Sequence, residues 1–169
     1  MKEKPLKVIT LGDEKLHEKS LPVTTFDDDL SVFLEQMFQT LAAKKGLGLA
    51  AVQVGRLLRV FITHVPEDGP RVFCNPEITG TSEEQVEIEE GCLSVPKVYE
   101  RVLRPAEVRI QAFTEKGKPF TLDASGLLAR VVQHELDHLN GVLFIDRIDK
   151  DVRQKIEKSL RRKPAATRI

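Results

Sequence analysis

The sequence predicts an α+β domain in which mostly antiparallel strands surround a central metal-binding helix and a further helix closes the chain. Three observations carry this. The apolar run from Ala124 to Leu139 has helical length and no Gly or Pro between Leu127 and Leu139. Short apolar or alternating segments separated by turn residues fill the region from Arg59 to Leu122. Two charged, helix-spaced stretches, Asp27–Lys45 and Asp149–Arg162, flank them. A chain of 169 residues suits one core. We therefore read 1–148 as the body of the domain and 149–169 as a basic helix and tail of the same domain.

Taken in order, residues 1–26 hold a short apolar segment, Leu6 to Leu11, then Gly12-Asp13 and a polar stretch in which His17 reads as a surface residue. Asp27-Asp28-Asp29 cap a helix whose Leu30, Phe33, Leu34, Met37, Phe38 and Leu41 form one stripe, with Lys44-Lys45 at its end and Gly46 terminating it. Val60-Phe61-Ile62 and Val72-Phe73-Cys74 read as strands around the turn Pro66–Pro70, with His64 in the loop. Cys74 reads as a buried, inert thiol. Val86 and Ile88 alternate with glutamates, which predicts a half-buried strand. Val108, Ile110 and Ala112 alternate likewise and turn back through Glu115–Lys118 to Phe120 and Leu122. Val142 to Ile145 reads as one more short strand.

The composition is that of an ordinary soluble domain, 41% hydrophobic and 31% charged. Twenty-six basic and 26 acidic residues cancel, so no global field argues for DNA or an anionic membrane as partner. The start, Met1-Lys2-Glu3-Lys4-Pro5, lacks the apolar core of a secretory signal, and no apolar run reaches membrane-spanning length. Two cysteines without an export signal read as thiols or metal ligands, and the expected setting is a reducing cytoplasm.

The chemistry concentrates in Gln133-His134-Glu135-Leu136-Asp137-His138. Residues four apart on a helix face the same way, so His134 and His138 can reach one ion, with Glu135 beside a water on it. At about 100° per residue, Leu127, Val131, His134 and His138 share one stripe. Arg130, Gln133, Asp137 and Asn140 share the opposite, polar arc, where Asp137 is expected to make a surface ion pair or a contact that orients the helix. Two histidines do not complete a catalytic site, which commonly has three protein ligands. No histidine follows His138, and the only later glutamate, Glu157, lies in the charged terminal helix. Upstream, Cys92 in Glu90-Gly91-Cys92-Leu93-Ser94-Val95-Pro96 can be a small core residue or a rigidly held thiolate; the missing third ligand favours the thiolate. Gly46-Leu47-Gly48-Leu49-Ala50-Ala51-Val52-Gln53 lacks the spacing of a dinucleotide loop. Its small residues suggest backbone close to a ligand, and Gln53 would be an odd core residue.

These three stretches, in this order and spacing, resemble the three signature motifs of the peptide deformylases of bacterial type. Asn75-Pro76 and Asp123 to Arg130 extend the resemblance over nearly the whole chain. It departs at Glu14-Lys15-Leu16-His17, where the family commonly has Pro-x-Leu-Arg, and at Lys97, where glycine is frequent. The resemblance implies hydrolytic removal of the formyl group from the formylmethionine of nascent chains, releasing formate. It implies Cys92, His134 and His138 as ligands, Glu135 as base and acid, and Gln53 with the Leu93 backbone N–H as oxyanion donors. Gly48 resembles the position whose carbonyl takes the formamide N–H, and Glu90 an acid that ties down the cleft through an arginine. Leu47, Ile88 and Val131 are candidates for the methionine pocket. Iron(II) is the expected ion in the cell, with zinc, nickel or cobalt able to replace it in purified protein. The family's corresponding C-terminal helix is associated with ribosome docking. A general metallopeptidase, and a binding module with a structural metal, are the other readings; the latter needs neither Glu135 nor Gln53.

Overall fold

The computed structural model describes residues 4–166, with side chains through Leu160. Asp27 caps helix α1 (Asp28–Lys44), its carboxylate accepting the Leu30 N–H, and Lys45 closes the helix in the left-handed region at φ 57°. Lys45, not Gly46, is therefore the terminating residue. Strand β1 (Gly48–Ala50) leads through a 3-10 turn, Ala51–Val54, into β2 (Val60–Val65) and β3 (Gly69–Thr81). His64 is exposed as expected, yet it lies in β2 and not in a loop.

Strands β4 (Gln85–Cys92) and β5 (Val95–Pro105) pair as a separate two-stranded sheet, and β6 (Glu107–Phe113) with β7 (Pro119–Ser125) completes an antiparallel five-stranded sheet of order β1-β2-β3-β6-β7. Helices α2 (Gly126–Leu139) and α3 (Lys150–Ala166) follow. The fold is thus α+β and antiparallel, with helices on the sheet and at the chain's end. The stretch 142–145 is no strand. Leu143, Phe144 and Ile145 are all buried, so alternation is lost, and the Asp146 carboxylate accepting the Leu143 N–H winds Phe144–Arg147 into a 3-10 turn.

Side-chain alternation in β2 explains the layering. Val60 and Ile62 face α1, packing with Leu34, Met37, Leu41 and Cys74, while Phe61 and Phe73 face α2 and pack with Val132 and Leu139. The sheet is therefore covered on both faces, and α2 lies inside the molecule. That placement buries much of its polar arc. Arg130, Gln133 and Asp137 are buried, whereas Leu127, expected on the buried stripe, is 45% exposed. Arg59 donates to the Leu139 carbonyl and the Asn140 side chain, which satisfies the open end of α2. The terminal helix rests Ile156 and Leu160 against a third cluster with Leu16, Val95 and Phe144.

Candidate metal centre and active site

Helix α2 and the end of β4 bring Cys92, His134 and His138 together. Their ligand atoms lie within 4.8 Å of one another, and Cys92 Sγ is 3.3 Å from His138 Nε2. A tetrahedral ion with bonds of about 2.0–2.3 Å keeps its ligands roughly 3.3–3.8 Å apart, so small adjustments fit this set. The orientation of His134 is fixed from behind. Its Nδ1–H donates to Glu90 Oε1 at 2.8 Å, which leaves Nε2 bare for an ion.

The electrostatics also call for a cation. Burial works against charge on His134, yet hydrogen bonds with Cys92 and Glu90 and the negative charge of Cys92 and Glu135 favour its protonated form. An ion bound to Nε2 supplies the same positive charge. His138 shifts the other way, because burial and the positive charges of His134 and Arg104 disfavour its protonation. A neutral imidazole is what a metal needs. Glu135 is 3% exposed, and burial pushes its carboxyl up to about 7. Its Oε1 has no hydrogen-bond partner among the described residues. A buried carboxyl poised near neutrality with an unsatisfied oxygen beside three ligands is equipped for proton transfer.

Glu90 is the hub beneath the ligands. Burial opposes its charge, but hydrogen bonds from His134 and Arg104 outweigh that and hold it well below the ordinary carboxylate range. Arg104 donates to both its oxygens, and Arg130 to one of them at 2.7 Å. Arg104 also reaches Asp137, which Arg147 grips at 2.6 and 2.7 Å. Asp137 does form ion pairs that tie down α2, but they are buried and not at the surface. The residue is a buried member of this ionic network, because the body of the protein covers both sides of α2. The sequence holds one clue: in β5, Val102 is buried, and Arg104 two residues on shares its face.

The site opens into a cleft of about 560 Å³. Every predicted site residue except His138 lines it: Leu47, Gly48, Gln53, Ile88, Glu90, Cys92, Leu93, Val131, His134 and Glu135. Leu127 joins the lining, which explains its exposure. β4 is a strand as predicted, but Ile88 borders this cleft and is exposed, Val86 is half-buried, and Glu90 is the buried residue of that face. Gln53 is 1% exposed, and its Nε2–H donates to Ser94 Oγ at 3.1 Å and towards Cys92 Sγ at 3.6 Å. Gly48 permits a close approach of β1 to α2. A Cβ there would lie 2.8 Å from both Glu135 Oε2 and Val131 Cγ1.

Known proteins resemble this chain in sequence and fold. A family model described as polypeptide deformylase matches residues 5–154. The chain belongs to the polypeptide deformylase family. It is 53% identical over 140 residues to a peptide deformylase of Treponema pallidum, covering 83% of this chain and 86% of that one. A peptide deformylase of Brucella suis is 44% identical over 166 residues, covering 96% and 94%. The solved Ehrlichia chaffeensis peptide deformylase in complex with actinonin superposes with a TM-score of 0.93 at 35% identity, over 99% of this chain and all of that one. Deformylases are metal-dependent hydrolases, and the Cys/His/His cluster suits that chemistry. The metallopeptidase and binding-module readings have no support in these matches.

Proposed function

We propose that this chain removes the formyl group from the N-terminal formylmethionine of newly made polypeptides and releases formate. The observation that carries the reading is the convergence of Cys92, His134 and His138 beside the buried Glu135 in a deformylase fold. Cys92, His134 and His138 would hold one divalent ion, iron(II) in the cell, with zinc, nickel or cobalt accepted by the same thiolate and imidazole donors. When bound, the ion supplies Lewis-acid polarisation and activates a water as nucleophile. Glu135 takes the proton from the attacking water and passes it to the departing amine nitrogen, a role suited to a carboxyl near 7. The Gln53 amide and the Leu93 backbone N–H donate to the formyl oxygen as it gains charge. The Gly48 carbonyl accepts the formamide N–H, and Leu47, Ile88 and Val131 receive the methionine side chain. Glu90 does not touch substrate; it holds His134 in its ligating tautomer.

The direct test is formate release from a formyl-Met dipeptide by anaerobically purified, metal-analysed protein. An acetyl-Met dipeptide should remain intact, and cleavage of internal peptide bonds instead would mark a peptidase. Gln53→Ala should lower kcat about a hundredfold, as loss of one oxyanion donor does. An unchanged kcat would remove Gln53 from the mechanism.

No helix among the described residues is long and apolar enough to cross a membrane, and we place the enzyme in the cytoplasm with its substrate. On α3, Lys150, Lys155 and Lys158 are exposed. The side chains of Arg161, Arg162 and Lys163, and the whole of Arg168, lie outside the described residues. We assign this basic face to the ribosome surface, where phosphate contacts would hold the enzyme near emerging chains. A chain ending at Asp149 should still cleave free peptides, at reduced stability because Ile156 and Leu160 leave the third core cluster. It should no longer cosediment with ribosomes at low salt; equal cosedimentation of both lengths would sink the docking.

A further inference from the structure

The mouth of the cleft carries a charge pattern that the hydrolytic machinery does not use. One wall is the end of α1 and the start of β1, with Lys44 and Lys45; the other is the start of β5, with Lys97. All three lysines are exposed, and none pairs with a carboxylate within 4 Å among the described residues. The acids lining the same cleft are Glu89, Glu90 and Glu135. Glu90 and Glu135 are buried, and Glu90 is already neutralised by Arg104 and Arg130, so Glu89 alone offsets the lysines at the surface. Glu100, the acid of β5, lines a neighbouring groove with Lys155; Lys97 borders that groove as well as the cleft.

Lys44 and Lys45 also complement the negative end of the α1 dipole, which would account for them without a ligand. Lys97 has no such role. Its backbone sits at φ 64° in the irregular start of β5, where glycine is the unstrained choice, so the backbone there does not call for a long cationic side chain.

We propose that this ring of lysines makes the enzyme favour formyl-Met chains with acidic side chains at the second and third residues. The inference rests on the deformylase reading. With the formyl group at Glu135 and the methionine side chain against Leu47, Ile88 and Val131, the remainder of the substrate leaves between the two walls. An extended peptide presents successive side chains to opposite sides. One of two consecutive acids therefore meets Lys44 and Lys45, and the other meets Lys97. Exposed charge pairs are individually weak, each giving about 1.5-fold to fivefold. Two such contacts, one for each acid, multiply to about twofold to twenty-fivefold at low ionic strength. Because the groups are solvated, the preference fades as the screening length falls from about 30 Å at 0.01 M salt to about 3 Å at 1 M.

The experiment compares kcat/KM of the metal-loaded, full-length enzyme for C-terminally amidated formyl-Met-Asp-Glu, formyl-Met-Ala-Ser and formyl-Met-Lys-Lys. The expected order at low salt is acidic, neutral, basic, collapsing towards equality at 1 M salt. Lys97→Glu narrows the spread, and the triple variant K44E/K45E/K97E reverses it. Calorimetric binding of the same peptides to metal-loaded Glu135→Gln protein should follow the same order, which separates recognition from turnover. Equal kcat/KM for the three peptides at low salt, or an order that survives 1 M salt or charge reversal, overturns the proposal. Formate release from the neutral peptide would in that event leave the deformylase reading standing, and no release from any peptide would overturn both.

Discussion

Cys92→Ala is expected to cost the protein its tightly bound metal and reduce formate release to background, while Cys74→Ala leaves both largely intact. The contrast follows from where the two thiols sit. Cys92 Sγ is 3.3 Å from His138 Nε2 at the edge of the cleft, whereas Cys74 is fully buried in the α1 layer, and burial pushes its thiol up to about 12. A thiol so desolvated neither ionises nor ligates at neutral pH. Its loss costs only packing, on the order of 1 kcal/mol. Metal content of anaerobically purified variants, measured beside the formate assay, decides the matter. Equal metal loss in both variants, or none in either, would overturn the ligand assignment.

Glu135→Gln should retain its metal and lose about a thousandfold or more in kcat. General acid–base catalysis is worth about 10²–10⁴, and in the proposed mechanism one carboxyl serves first as base and then as acid, which an amide cannot do. The substitution is nearly isosteric, so it preserves the tight fit against Gly48, and the three ligands are untouched. The informative combination is full metal content with turnover gone. A kcat within tenfold of the parent would assign proton transfer to another group.

Much of this site is legible in the sequence because its signals are local. His134, Glu135 and His138 follow from helical spacing alone, and Cys92 from the need for a third ligand. The caps of α1 and the β6–β7 hairpin also depend on residues close in sequence. The misreadings share one physical cause: they needed to know what lies on the far side of an element. Asp137, Arg130 and Gln133 form an arc that on an isolated helix belongs in water. A polar arc is compatible with burial when another segment brings matching charges, and Arg104 and Arg147 are distant in sequence from most of it. Leu127 errs in the opposite direction, since an apolar stripe can border a substrate cleft as readily as a core. Ile88 follows the same logic on β4. Val142–Ile145 fails because three consecutive buried residues carry no alternation to distinguish a strand from a tight turn.

The ligands come from two parts of the chain that nothing covalent holds together. Cys92 closes the small β4–β5 sheet, and His138 lies 46 residues further along, near the end of α2. An ion bridging them is therefore a cross-link as well as a reagent. A permanent closure of a loop this long removes unfolded-state entropy worth about 4 kcal/mol on the chain-entropy model for disulfides, and a tightly bound metal acts on the same loop. Oxidation of Cys92 would then remove the bridge along with the chemistry. The drop in melting temperature from the metal-loaded parent to the Cys92→Ala protein is the measure of how much the bridge contributes.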